Sequence, residues 1–185
     1  LAIARLTTAD LVVLTMLHER AMHGYELVKT LEERDYQDWA PVSRPQVYYS
    51  LRKLDAAGLI RQTESHTEAL GPDRIVYKPA AKATAAMKAA LAHERWAEQR
   101  PPTPFNTWAA LALHAAPEEI RRQLKRRGAF LEREIERETQ TLRDLKSLDS
   151  KEAAVARFLV RLAIQNFKAE LAALDELRAA LLADA

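Results

Sequence analysis

Apolar residues recur at helical spacing through most of the chain, and the period changes to a strand-like one only between residues 59 and 77. Leu11, Leu14, Met16 and Leu17 predict the buried face of a first helix, with Thr7 or Thr8 able to cap it. Past Gly24, the residues Tyr25, Leu27, Val28 and Leu31 begin a second helix whose pattern fades near Asp38. Ser43 can cap a third, with Pro45 in its first turn, where a missing N–H costs little. Val47, Leu51 and Leu54 follow at i, i+4 and i+7, and Gly58 stands where a left-handed residue ends a helix. Two short strands, Leu59 to Thr63 and Arg74 to Tyr77, then flank a polar loop holding Gly71 and Pro72. Of the four glycines, Gly24, Gly58 and Gly71 are expected at turns. Three helices and a two-stranded hairpin, in that order, predict a winged helix-turn-helix.

A fourth helix is expected over about 81–99, stopped by Pro101, Pro102 and Pro104. The remainder predicts three more helices, at about 105–115, 117–148 and 151–183, the second opening on Pro117-Glu118-Glu119. Along it, positions 124, 128, 131, 135, 138, 142 and 145 alternate spacings of four and three. They hold Leu, Gly, Leu, Ile, Glu, Leu and Leu, a coiled-coil-like seam with two defects. Helices this long and this narrowly amphipathic need a partner. The expected architecture is mainly α: a winged helix-turn-helix with linker helix over 1–100, then a long-helix dimerisation arm over 101–185.

Charge refines this picture more by its distribution than by its total. The net charge is +2, and residues 1–80 carry 10 Lys and Arg against 11 Asp and Glu. Within 43–61, however, Arg44, Arg52, Lys53 and Arg61 face only Asp55. Affinity for a polyanion depends on where cations sit, so a local basic helix suffices to permit nucleic-acid binding. The absence of cysteine excludes disulfides, thiolate zinc sites and cysteine nucleophiles, and agrees with a cytoplasmic setting. No run of 18 uncharged apolar residues exists, so neither a transmembrane helix nor a membrane partner is expected. His18 and His23 are five residues apart, not the four of a helical zinc-protease motif, and no glycine-rich phosphate loop occurs. No catalytic residue, metal or cofactor is therefore expected.

With Val47, Leu51 and Leu54 turned inward, the third helix is expected to present Gln46, Tyr49, Ser50 and Lys53, with Arg44 near its start. Short polar and aromatic side chains there can reach base edges in a major groove, while Arg44, Arg52, Lys53 and Arg74 reach phosphates. Tyr25, at a helix start, fits either core packing or a phosphate hydrogen bond. The same helix face also suits a protein-binding module without DNA recognition. Trp96, Phe105 and Trp108 flank the proline boundary, where flat aromatics could border a pocket for a planar ligand. Ordinary core packing is the competing reading.

These features together resemble the PadR family of transcriptional regulators. The resemblance rests on Gly24-Tyr25-Glu26-Leu27 and Leu31; on Ser43, Val47, Tyr48, Leu51 and Leu54; on Gly58-Leu59-Ile60; and on Gly71, Pro72, Arg74 and Tyr77. More loosely, Phe105, the Pro117-Glu118-Glu119 start and Phe158-Leu159 through Leu177 are similar to the Vir-type helical arm of part of that family. Pro45, Pro79, Ala80 and Ala83 depart from the family pattern. The resemblance implies a homodimer that represses from a palindromic operator on double-stranded DNA and is released by a small aromatic effector. It also implies that Ser43, Tyr48 and the exposed third-helix residues approach DNA, with Arg74 at the wing.

Overall fold

The computed structural model describes residues 6–63, 75–98 and 103–182. The chain divides into two compact units, Leu1–Gln99 and Arg100–Ala185. The first unit is built from α1 (Thr8–Glu19), β1 (Met22–His23), α2 (Gly24–Glu33), α3 (Arg44–Ala56), β2 (Ile60–Thr63), β3 (Val76–Pro79) and α4 (Ala83–Leu91). Short 3-10 turns at Tyr36–Asp38 and Glu94–Trp96 complete it. Helix α1 packs on α3 and β3, and α2 packs on α3. Their shared core includes Leu14, Met16, Leu27, Val47 and Leu54. This is the winged helix-turn-helix predicted above.

The first three helices each start on a capping box. The Thr7 hydroxyl accepts from Asp10 N–H, while Asp10 Oδ2 accepts from Thr7 N–H at 2.7 Å. His23 and Glu26 exchange equivalent bonds at the start of α2. At α3, Gln46 Oε1 accepts from both the backbone N–H and the hydroxyl of Ser43, at 2.7 and 3.0 Å. Such boxes satisfy amides that the first helical turn leaves without partners. Helix α3 ends as expected: Gly58 has φ +63°, and Leu59 N–H closes back on Leu54 C=O at 2.8 Å.

Three expectations change. The sheet has three strands, ordered β1-β3-β2 and antiparallel, because Met22 and His23 pair with Tyr77 and Val76. Two extended residues between helices leave no periodic signal, although Met22 is fully buried. Gly24 is not at a turn but is the first residue of α2; a Cβ there would lie 2.6 Å from Tyr48 Cε1, so glycine permits a close approach. Finally, α4 ends at Leu91 rather than near 99. His93 adopts an extended backbone, and its Nδ1 caps the next turn by accepting from Arg95 N–H. Pro101 and Pro102 lie outside the described residues.

The second unit contains α5 (Pro104–Leu111), α6 (Pro117–Asp144) and α7 (Lys151–Leu182), with 3-10 turns at Ala112–His114 and Leu145–Ser147. Helices α6 and α7 form an antiparallel hairpin. The seam on α6 is covered by α7 of the same chain: Leu124 and Leu131 are buried with Leu174, and Gly128 faces Leu171 and Leu174. The defect at Glu138 is buried and ion-paired with Arg137 at 2.8 Å. Arg127 joins the two helices through a bidentate pair with Glu170, at 2.7 and 2.8 Å, and lies against the rings of Phe105 and Phe130. No described helix is long and apolar enough to cross a membrane.

Candidate nucleic-acid interface

Helix α3 has two sharply different sides. Its inner side buries Val47, Ser50, Leu51 and Leu54, and its outer ridge exposes Arg44, Gln46, Tyr49 and Arg52. Tyr49 is 60% exposed. Arg44 and Arg52 make no ion pair among the described residues. Arg44 does lie over the Tyr48 ring, 6.0 Å from its centroid. Gln46 spends its carbonyl oxygen on the Ser43 cap. Ser43 is exposed at the end of the ridge.

A cleft of about 350 Å³ lies beside α3, lined by His23, Gly24, Tyr25, Tyr48, Arg52 and Tyr77 among others. Tyr25 is 56% exposed, which favours the surface reading of that residue over core packing. Tyr48 is half-buried, its ring closing over Gly24. Burial raises the Tyr77 phenol above its ordinary range, with the Asp55 carboxylate adding to this and Arg52 opposing it. The phenol therefore stays a neutral donor throughout the physiological range. A second concavity near the start of α1 is lined by Thr7, Thr8, Gln46, Tyr49 and Ser50.

Two residues expected on the exposed face are drawn away from it. Ser50 is 1% exposed, because it shares with Val47, Leu51 and Leu54 the i, i+3, i+4, i+7 stripe that packs inward. That spacing was visible in the sequence, and the hydroxyl concealed it. Lys53, expected to meet a phosphate, is directed to Asp10 Oδ2 at 2.5 Å, with its side chain 22% exposed. Asp10 itself is fully buried and was missed. The Thr7-x-x-Asp10 spacing signals a helix cap, but nothing local announces an ion pair 43 residues away.

Burial alone would raise the Asp10 pKa. Lys53, the Thr7 amide and the Ser50 and Thr7 hydroxyls outweigh it and hold the carboxyl below its ordinary value of 3.8. A carboxylate with a depressed folded-state pKa contributes stability that is fully present above its unfolded pKa and is lost as pH falls through the folded value. The first unit is thus expected to lose stability as pH drops below about 4, and Asp10→Asn to flatten that limb of the curve. Circular-dichroism melts between pH 2.5 and 6 check it; parallel curves for the two proteins would contradict it.

Arg74 and the loop with Gly71 and Pro72 lie outside the described residues. Of the candidate ligand contacts, Phe105 and Trp108 are brought together in the second unit, stacked with centroids 5.2 Å apart and packed against its core. Trp96 stands in the first unit, 40% exposed, its indole N–H donating to Ala90 C=O and Arg95 lying over its ring. Among the described residues no group of His, Asp or Glu could hold a metal ion.

Residues 13–89 match the transcriptional regulator PadR-like family. Among solved structures, Bacillus subtilis PadR in complex with operator DNA is similar, with a TM-score of 0.68 and 17% identity over 95% of this chain and 99% of that one. The Vibrio cholerae virulence activator AphA is similar at TM-score 0.63 and 21% identity, over 96% and 99% of the two chains. Bacillus subtilis PadR in complex with p-coumaric acid gives 0.60 and 17%, over 95% and 99%. At these identities the likeness shows the fold, a winged helix with a long helical arm. No curated protein sequence matches the chain.

Proposed function

Residues 13–89 belong to the transcriptional regulator PadR-like family, and from that premise we propose that the chain is a homodimeric repressor that reads a palindromic operator. The observation that carries this reading is the outer ridge of α3. Arg44, Tyr49 and Arg52 are exposed there, on a helix fixed from behind by a buried apolar stripe. In a major groove, the two guanidinium groups have the reach and charge for phosphates or guanine edges, and Tyr49 and the Gln46 amide can contact bases. Tyr25 and the hydroxyls of Ser43 and Tyr48 border the same ridge and suit backbone contacts. Arg74 would serve the wing.

Dimerisation is inferred from α7. Val155, Phe158, Leu159 and Leu162 follow the i, i+3, i+4, i+7 rule and are all exposed, from 40 to 59%. A stripe of that kind on a long helix is what a second copy of the chain would cover. Two heads so joined would read half-sites one DNA turn apart, about 34–36 Å. The inferred effector is a small planar aromatic molecule, by analogy with the complex of Bacillus subtilis PadR with p-coumaric acid, with Phe105 and Trp108, or separately Trp96, as candidate contacts.

The test is a gel-shift series with the DNA upstream of the chain's own gene and with sheared genomic fragments. Binding through six to ten phosphates should weaken about 10³–10⁵-fold between 50 and 200 mM salt. Tyr49→Ala should lower preference for the selected fragment, whereas Arg52→Ala should weaken all DNA about equally. A wild-type protein that retains no genomic fragment at low salt would refute DNA recognition and favour a protein-binding module.

A further inference from the structure

The inner edge of α3 is tied to the start of α1 by a buried charge, and we propose that this tether positions the recognition helix for sequence discrimination, with Asp10 as the positioning residue. The inference rests on the DNA-binding reading above and assigns a role to a residue that touches no DNA.

Asp10 is the third residue of α1 and has no solvent-accessible surface. Its Oδ2 accepts from the Thr7 amide at 2.7 Å and from the Lys53 ammonium at 2.5 Å. Ser50, one turn earlier on α3 than Lys53, is buried alongside. Neither Ser50 Oγ nor Asp10 Oδ1 has a hydrogen-bond partner of ordinary geometry among the described residues. The carboxylate thus belongs simultaneously to the cap of one helix and to the flank of another, 43 residues away.

Such a pair is a poor way to add stability. The desolvation of two charges consumes most of their attraction, and apolar residues of the same volume often serve the fold as well or better. What the pair supplies is direction. Contacts made by Val47, Leu51 and Leu54 are apolar and tolerate small rotations of α3 about its axis, because burial depends on area rather than angle. A charge-assisted bond at the helix flank does not tolerate them. A Tyr49 hydroxyl sits roughly 8 Å from the helix axis, so a rotation of about 15° would move it about 2 Å. Hydrogen bonds to base edges fail over a few tenths of an ångström. The tether therefore acts where operator and non-operator DNA differ, and hardly at all on phosphate attraction, which tolerates such shifts.

Asp10→Asn keeps the side-chain shape and raises net charge by one, which by itself favours any DNA. Binding is measured for the fragment selected by the wild type and for a scrambled copy, well below the melting temperature of each protein. The expected result is at least a tenfold fall in the ratio of the two affinities, with scrambled-DNA affinity unchanged or higher. Partial unfolding would instead lower both affinities equally and leave the ratio intact. The double variant Asp10→Leu with Lys53→Met replaces the pair by packed apolar groups, guarding against an unfolded Asn variant. It is expected to stay folded despite losing the Thr7 cap bond, and still to lose discrimination. If either folded variant keeps the wild-type ratio, the positioning role is overturned while the DNA reading stands. If the wild type itself shows no preference, both fall.

Discussion

A Phe158→Glu protein is expected to run as a monomer in size-exclusion chromatography with light scattering, and to bind operator DNA at least about 10²-fold more weakly than the wild type. The first part follows from where Phe158 lies. It is 58% exposed at the middle of the α7 stripe, with Val155, Leu159 and Leu162 around it. A carboxylate placed there would have to be desolvated, without a cation opposite, for two stripes to meet. The second part follows from linkage. When two heads are joined, the second half-site is bound intramolecularly at high effective concentration, which commonly multiplies affinity by 10²–10⁴. Because Phe158 is exposed within its own chain, the variant should still fold, melting lower only by what association contributes. A variant that stays dimeric would show that another surface joins the copies, and the exposed Leu111 and Leu113 would be the next to examine.

Leu54→Ala is expected to remove about 2–5 kcal/mol of stability from the first unit. Leu54 is fully buried on the inner stripe of α3, in the core that α1 and α2 also share, and its carbonyl accepts the Leu59 N–H that closes the helix. Truncation leaves a cavity bounded by three helices whose starts are individually capped, so little collapse is available to fill it. Each kcal/mol corresponds to about 4–8 °C in a unit of this size. Thermal denaturation followed at 222 nm should show a shift of about 8 °C or more. A smaller shift would mean that the α3 side of the core repacks, contrary to its interlocked burial.

Much of this molecule was legible in the sequence because its helices are long and punctuated. The glycine at 58, the proline at 117 and the Ser43 cap mark boundaries that the structure reproduces within a residue or two. The pairing of Met22 and His23 with β3 was not legible, since a two-residue strand is defined by its neighbours rather than by its own pattern. Nor was the early end of α4, where helix-compatible residues continue past Leu91 and the extended backbone of His93 breaks the helix. At the candidate interface, exposure of Arg44, Gln46, Tyr49 and Arg52 followed directly from helical phase. Ser50 and Lys53 are drawn inward where residue type alone suggested exposure. A small hydroxyl fits an inner stripe beside a carboxylate, and a lysine stem spans the distance from the flank of α3 to Asp10.

The cap at the start of α3 constrains how operator preference can drift. Gln46 stands on the exposed ridge, yet its carbonyl oxygen holds both the amide and the hydroxyl of Ser43. Exchanging it for a residue better suited to another base would sacrifice a cap whose loss costs about 1 kcal/mol, so that position carries a toll on every change. Tyr49 and Arg52 carry no such obligation among the described hydrogen bonds. In a lineage descending from this protein, new operators would then be acquired by turnover at 49 around a standing glutamine, with Arg52 holding phosphate whatever the sequence.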